Sequence, residues 1–90
     1  MMEQGDVIIL DVRNPAEFAG GHIENAVLMP VGELEYLIFE LIENKDQTLL
    51  IYCRAGSRSH QAAWALAELG FTSVYDFGGI LSWEGVIVVP

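Results

Sequence analysis

The chain has 90 residues, of which 52% are hydrophobic, and its formal net charge is -9. This length suits one compact domain, residues 1–90, and the acidic balance argues against nucleic acid or an anionic membrane as a partner. The apolar runs are shorter than the roughly 20 residues that a membrane helix needs, and a secretory signal is not recognisable, so we expect a cytoplasmic protein.

The chain begins with a predicted strand and a short helix. Residues 7–10 form a β-branched apolar run, which is typical of a strand buried on both faces. Asn14 then predicts a helix N-cap, Glu17 is spaced to close a capping box with it, and Gly20 and Gly21 predict the end of the helix. Polar residues such as Asp11 therefore begin where the first strand stops.

The next elements are predicted from an apolar triplet and a helical stripe. Residues 27–29 predict a brief strand, and a helix is expected to begin at Gly32 and Glu33. Apolar residues at helical spacing predict the face of this helix that packs on the core. These residues are Leu34, Leu37, Ile38, Leu41 and Ile42.

The second half of the chain supplies a central strand, a helix and a further strand. Residues 49–52 predict the central strand, which leads directly into residues 53–59 and then into an alanine-rich helix. Residues 74–77 predict the last strand, followed by a turn at Gly78 and Gly79 and by Trp83, which we expect in the core. Because strands alternate with helices, the sequence predicts an α/β fold: a three-layer parallel sheet of four to five strands flanked by helices.

The segment around Cys53 is the leading candidate site. Cys53 is the only cysteine, and it stands between a strand end and a helix start, where open α/β sheets bind ligands. Converging backbone N–H groups, with Arg54 and Arg58 nearby, favour a thiolate, and Gly56 suits a tight loop that needs a positive φ. A nucleophilic thiolate must also be ionised near neutral pH and reachable from solvent.

Other cysteine chemistries fit the sequence less well. Phosphatases and arsenate reductases also place a cysteine and an arginine around an anion, but with one more residue between them than the four that separate Cys53 from Arg58. A thioredoxin-like site needs a second cysteine. Neither a metal nor a cofactor is expected, because one cysteine with the distant His22 and His60 lacks zinc-ligand spacing. Both histidines are predicted to be structural or exposed.

Several spaced motifs resemble the rhodanese family and fall in the family's order. They are Asp11-Val12-Arg13, Glu17-Phe18, Gly21-His22-Ile23 with Ala26 and Pro30, Tyr52-Cys53-Arg54-Ala55-Gly56-Ser57-Arg58-Ser59, and Gly78-Gly79 with Trp83. The resemblance covers about nine-tenths of the chain, and agreement among several motifs is more specific than one loop pattern. It identifies the chain as similar to the single-domain thiosulfate sulfurtransferases, which have a rhodanese-like fold.

The resemblance implies a persulfide cycle, in which sulfur moves from a small anionic donor such as thiosulfate to cyanide or to a thiol, a protein thiol included. In such a cycle Cys53 is the nucleophile, and Arg54 and Arg58 are expected to anchor the donor. The substrate-binding residues implied are Arg54, Ala55, Gly56, Ser57, Arg58 and Ser59. Asp11 and Arg13 are expected to form a supporting charged pair. The alternative is a docking or regulatory module that keeps the fold without turnover.

The chain departs from the family at its beginning. Family members commonly carry an extra strand and helix before the Asp-Val-Arg strand, whereas here six residues precede Val7. We therefore expect a sheet that lacks this first strand, with an effect on the sheet edge rather than on the site.

Overall fold

The computed structural model describes residues 7–80 and 87–89, and its elements alternate along the chain as predicted. In chain order they are β1 (Val7–Asp11), α1 (Pro15–Ala19), β2 (His22–Ile23), β3 (Val27–Leu28), a 3-10 turn (Val31–Glu33), α2 (Leu34–Leu41), β4 (Thr48–Cys53), α3 (Ser57–Glu68), β5 (Val74–Gly79) and β6 (Ile87–Val88). The assignment of the whole chain to one domain stays a prediction.

The central sheet is parallel and has four strands within the described residues, in the order β3-β1-β4-β5. Strand β1 pairs with β4 along its whole length, from Val7 opposite Thr48 to Asp11 opposite Tyr52. All three pairings in this sheet are parallel, so the carboxyl ends of the strands lie at one edge. The α/β prediction is confirmed.

Helices α2 and α3 cover one face of the sheet. Their inward residues join apolar side chains from β1 and β4 in one cluster, which includes Leu10, Leu34, Ile38, Leu49, Ile51, Ala62 and Leu66. Four of the five residues in the predicted stripe of α2 contact this cluster. The prediction was wrong for Leu41, which is 41% exposed because it lies at the last turn of the helix, turned away from the sheet. In the described part of the chain, no helix has the length and hydropathy to cross a membrane.

The opposite face of the sheet carries a smaller apolar cluster of Ile9, Ile23 and Tyr52. Ile23 belongs to β2, which pairs antiparallel with β6 in a separate two-stranded sheet. This pairing was missed by the sequence analysis, which placed His22 in a turn. Trp83, predicted to be in the core, lies outside the described residues.

Three predicted boundaries at the carboxyl edge were wrong. Strand β4 includes Cys53, because its backbone pairing with β5 continues to Gly79. Helix α3 already begins at Ser57, so the connecting loop is only residues 54–56. Gly78 and Gly79 are part of β5 rather than a turn, and a register shift near Tyr52 accommodates the extra residue in β5 as a bulge.

Candidate active site

Cys53 is positioned by the alternation of side chains along β4. It is the last residue of this central strand, which lies between β1 and β5. Successive side chains of a strand point to opposite faces, so Cys53 faces the same side as Leu49 and Ile51, the side covered by α3. The sulfur therefore lies beneath the first turn of α3.

Two glycines allow the backbone to close around the sulfur. Gly56 stands directly before α3 with a φ of +111°, a conformation that residues with a Cβ adopt only with strain. A Cβ on Gly79 would collide with the carbonyl oxygen of Arg54. Strand β5 and the 54–56 loop can approach each other closely only because position 79 has no side chain.

The sulfur of Cys53 is held by a backbone amide and lies near a buried hydroxyl. The N–H of Gly56 donates to Sγ at 2.9 Å, and the Oγ of Ser59 lies 3.6 Å from Sγ. Ser59 is completely buried, and its hydroxyl is also within hydrogen-bond distance of two carbonyl oxygens, at 3.0 Å from Gly56 and 3.3 Å from Gly78. The segment 54–59 is called the cradle below, and the amides in it that act on the sulfur are those of Gly56, Arg58 and Ser59.

The pKa of the Cys53 thiol is lowered from its ordinary value. Burial alone raises this pKa, because it disfavours the charged form, but hydrogen bonds from Ser59, Gly56 and Arg58 to the sulfur outweigh that effect. The backbone N–H groups of all three residues contribute, together with the Ser59 side chain. The site is therefore built to favour a thiolate.

The sulfur is not open to solvent. Cys53 retains 1% of its accessible surface, whereas Arg54, Ala55 and Ser57 are exposed. The prediction that a nucleophilic thiol here would be reachable from solvent is wrong for this conformation, because Cys53 points into the core beneath α3 rather than out of the loop. In this conformation Sγ is therefore shielded from a reactant in solution.

The two arginines of the cradle have different surroundings. The guanidinium of Arg58 forms a bidentate ion pair with Glu17 of α1, with Nη1 at 2.6 Å from Oε1 and Nη2 at 2.9 Å from Oε2. Hydrogen bonding from Arg58, opposed by burial and assisted by the backbone of Asn14, lowers the pKa of Glu17 to about 2. Arg54 forms no ion pair within the described residues. Its side chain is exposed and lines the cavity described next.

A cavity of about 460 Å³ lies beside the cradle. Its described lining consists of Arg13, Ala16, Glu17, Gly20, Gly21, Arg54, Ile80 and Ile87. Cys53 is not among these residues, so the cavity adjoins the sulfur site without containing it. The lining includes the charged residues Arg13, Glu17 and Arg54, and also the apolar residues Ile80 and Ile87.

Asp11 and Arg13 form the charged pair that the sequence predicted, and the pair is buried. Arg13 donates to both carboxylate oxygens of Asp11, the shortest contact being 2.7 Å, and also to the carbonyl oxygen of Gly21 at 2.7 Å. The hydroxyl of Tyr52 donates to Asp11 at 2.6 Å and accepts from the backbone N–H of Ile23 at 3.1 Å. Burial and the bond to Asp11 raise the pKa of Tyr52. This network joins β1, β4 and β2 beneath the site.

Neither histidine is among the hydrogen-bond partners of the sulfur in the described residues. The ring of His22 stacks on Phe18 at 3.7 Å between centroids, and its Nδ1 lies 3.1 Å from the Phe18 carbonyl oxygen. His60 is exposed on the first turns of α3. Among the described residues, no group of three or more His, Cys, Asp and Glu side chains is arranged to hold a metal ion.

Glu17 is the residue of this site that the sequence analysis assigned only to helix capping. Its capping box with Asn14 is confirmed. Its pairing with Arg58 spans 41 positions. The sequence offered one signal for this pairing. Glu17 is the acidic residue of the first helix, and the chain has only four basic residues with which it could pair.

Comparison with known proteins agrees with this geometry. The family model described as "Rhodanese-like domain" matches residues 1–85. A sulfurtransferase of Allochromatium vinosum is 39% identical over 79 residues, which are 87% of this chain and 72% of that protein. The thiosulfate sulfurtransferase PspE of Escherichia coli is 35% identical over 71 residues, which are 79% of this chain and 68% of that protein.

The fold comparison gives the same result. A solved structure described as a rhodanese with anions from E. coli superposes with a TM-score of 0.89 at 31% identity, and the match covers 93% of this chain and 99% of that chain. Sequence and fold therefore agree over most of the chain. The chain belongs to the rhodanese-like domain family, which includes sulfurtransferases.

Proposed function

We propose that this protein is a thiosulfate sulfurtransferase that carries sulfur as a persulfide on Cys53. The Cys53 thiolate attacks the outer sulfur of thiosulfate, a new S–S bond forms, and the S–S bond of thiosulfate breaks as sulfite leaves with the electron pair. Cyanide or an acceptor thiolate then attacks the outer sulfur of the persulfide, and Cys53 is released as a thiolate. The cycle is covalent catalysis with two half-reactions and needs no net redox partner.

The observation that supports the proposal best is the hydrogen bond of 2.9 Å from the Gly56 N–H to the Cys53 sulfur. Together with the amides of Arg58 and Ser59 it lowers the pKa of the thiol. A thiolate that already exists needs no general base, which fits the absence of His22 and His60 from the neighbourhood of the sulfur. The same amides can stabilise the anionic outer sulfur of a persulfide.

Arg54 is the better anchor for an anionic donor. It is exposed beside the cavity, whereas both nitrogens at the end of Arg58 are engaged by Glu17. A guanidinium can donate two parallel hydrogen bonds to the oxygens of thiosulfate. We accordingly assign donor binding to Arg54 and a structural contribution to Arg58.

A docking or regulatory module without turnover is the second candidate, and the burial of Cys53 supports it. The thiol is 1% exposed, so a donor needs movement of residues 54–56 to reach it. In a docking module that movement would not occur, and the surface of the cradle would serve as the recognition surface. The cytoplasmic location and the expectation of no nucleic-acid partner stay predictions.

One experiment separates the two candidates. The protein is incubated with thiosulfate, desalted and weighed by mass spectrometry, and cyanide is then added. We expect a gain of one sulfur atom, followed by its release as thiocyanate, and neither change with Cys53→Ser. A folded parent protein that gains no sulfur contradicts the sulfurtransferase and supports the docking module.

A further inference from the structure

The ion pair between Glu17 and Arg58 links α1 directly to the first turn of α3. Each carboxylate oxygen of Glu17 accepts from one terminal nitrogen of the Arg58 guanidinium, at 2.6 and 2.9 Å. The side chains are 24% and 32% exposed, so the pair is partly shielded from water. This bidentate geometry fixes the direction of the guanidinium as well as its distance.

Glu17 is itself held in place before it meets Arg58. The Asn14 side chain accepts from the backbone N–H of Glu17 at 2.8 Å, and Oε1 of Glu17 accepts from the backbone N–H of Asn14 at 3.2 Å. The other end of α1 is fixed by Arg13, whose guanidinium donates to the carbonyl oxygen of Gly21. The carboxylate is therefore presented by a short helix that is restrained at both ends, and little side-chain freedom remains to be lost.

Arg58 is in turn part of the environment of the sulfur. It is the second residue of α3, it directly precedes Ser59, and its backbone N–H contributes to lowering the pKa of Cys53. The pKa of Arg58 is raised mainly by its hydrogen bonds to Glu17, and the charge of Cys53 contributes to the rise. Among the other charged residues, Arg54 follows Cys53 directly on the loop, and the Asp11–Arg13 pair lies at the end of the neighbouring strand β1.

We propose that Glu17 is a positioning residue, which holds the guanidinium of Arg58 and with it the first turn of α3 over the Cys53 sulfur. Glu17 does not touch the sulfur, and it acts through Arg58. A second consequence is that the pair occupies Arg58 and leaves Arg54 to bind the anionic donor. The inference rests on the proposed function, since positioning matters only if Cys53 reacts.

The test is the pH dependence of alkylation of Cys53 by iodoacetamide, a neutral reagent that reacts with the thiolate. It is measured for the parent, Glu17→Gln, Arg58→Gln and the double variant, with Glu40→Gln as the matched control. Glu40 is an exposed glutamate of α2 and forms no ion pair within the described residues. Circular dichroism and thermal unfolding establish that each variant is folded.

We expect Glu17→Gln to raise the apparent pKa of Cys53 by about half a unit to one unit, because the amides of α3 are no longer held in line with the sulfur. The double variant should match Arg58→Gln alone, since Glu17 has nothing to hold once the guanidinium is gone. Glu40→Gln should leave the pKa where it is. Glu17→Asp keeps the charge with a shorter reach, and should give a smaller rise.

Two results overturn the proposal. If Glu17→Gln lowers the unfolding temperature but leaves the alkylation pKa unchanged, Glu17 serves only the fold. If the shifts of the two single variants add in the double variant, Glu17 does not act through Arg58. Alkylation requires no sulfur transfer, so a parent protein that fails to accept sulfur from thiosulfate overturns the proposed function while this comparison still decides the role of Glu17. If Glu17→Gln does not fold, Glu17→Asp decides on the same readout.

Discussion

Two buried polar clusters stand at the carboxyl ends of neighbouring strands, and they differ in how their charges are balanced. At the end of β1, the guanidinium of Arg13 faces the carboxylate of Asp11 at 2.7 Å, and the Tyr52 hydroxyl completes the network. At the end of β4, the sulfur of Cys53 meets neutral groups: the amide of Gly56, which donates to it, and the hydroxyl of Ser59 at 3.6 Å. In the first cluster the two opposite charges balance each other. In the second, a negative charge on the sulfur is stabilised by neutral groups and has no ion-pair partner within the cluster.

This difference separates a cluster that supports the fold from one suited to chemistry. A buried ion pair is costly to disturb, because removing one partner leaves an uncompensated charge in a poorly solvated place. A thiolate held mainly by amide dipoles is not tied up in an ion pair, so its charge can be used in a reaction once a reactant reaches it. Four predictions follow from treating Asp11 and Arg13 as structural and the cradle as reactive.

The largest effect is expected on stability, from Asp11→Asn. This change leaves the guanidinium of Arg13 buried without its counter-ion, and it weakens the bond from Tyr52. We expect a loss of about 3 kcal/mol in the free energy of unfolding at neutral pH. Urea denaturation measures it, with Glu40→Gln as a surface control. Sulfur transfer per folded molecule should stay near that of the parent, and a loss of activity without a loss of stability would reverse the assignment.

The next effect is expected on donor use, from Arg54→Ala. Because Arg54 is exposed beside the cavity and free of an ion pair in the described chain, we expect kcat/KM for thiosulfate to fall about tenfold, with a smaller fall at high salt. A neutral sulfur donor should lose much less. The control is Lys45→Ala, which removes the cation that lies over the ring of Phe39. Equal losses with charged and neutral donors would remove Arg54 from donor binding.

A smaller effect is expected on the thiol itself, from Ser59→Ala. The hydroxyl of Ser59 is one of several groups that lower the pKa of Cys53, and the Gly56 amide remains after its removal. We expect the apparent pKa of Cys53 in alkylation to rise by about half a unit. Ser73→Ala, at the opposite end of the sheet, should change nothing. An unchanged pKa in Ser59→Ala would mean that backbone amides alone hold the thiolate.

The sequence was sufficient to predict the elements whose signals are local. The β-branched run of β1, the Asn14 and Glu17 capping box and the positive φ of Gly56 each depend on a few neighbouring residues, and all three are confirmed. The parallel sheet followed from the alternation of such elements. The element ends were less exact, because β4 and β5 continue as long as each finds a pairing partner in the other.

The features that were missed depend on contacts between distant parts of the chain. Strands β2 and β6 have two residues each and exist only through their mutual pairing, which leaves no run or period to recognise. The burial of Cys53 depends on how closely α3 approaches β4. The engagement of Arg58 by Glu17 depends on the relative position of α1 and α3. The motif thus predicted the loop around Cys53, but it could not predict that Arg58 is engaged by Glu17.

The smallest effect is expected on the pH dependence of stability, from Glu17→Gln. Hydrogen bonding from Arg58 lowers the pKa of Glu17 from 4.5 to about 2, so the folded state holds the carboxylate ionised where the unfolded chain would protonate it. The contribution of the pair is therefore complete above pH 4.5 and is lost as the pH falls toward 2. Since the pair is partly exposed, water screens it to about 0.5 to 1 kcal/mol.

Urea unfolding of the parent and of Glu17→Gln at several pH values measures this contribution as the difference between the two. The difference should be constant from neutral pH down to about pH 5 and should shrink below that, because the parent then loses the ion pair that the variant never had. A gap for Glu17→Gln that does not shrink in acid would mean that Glu17 stabilises α1 by capping rather than by holding Arg58, and would place α1 with the structural cluster instead of the reactive one.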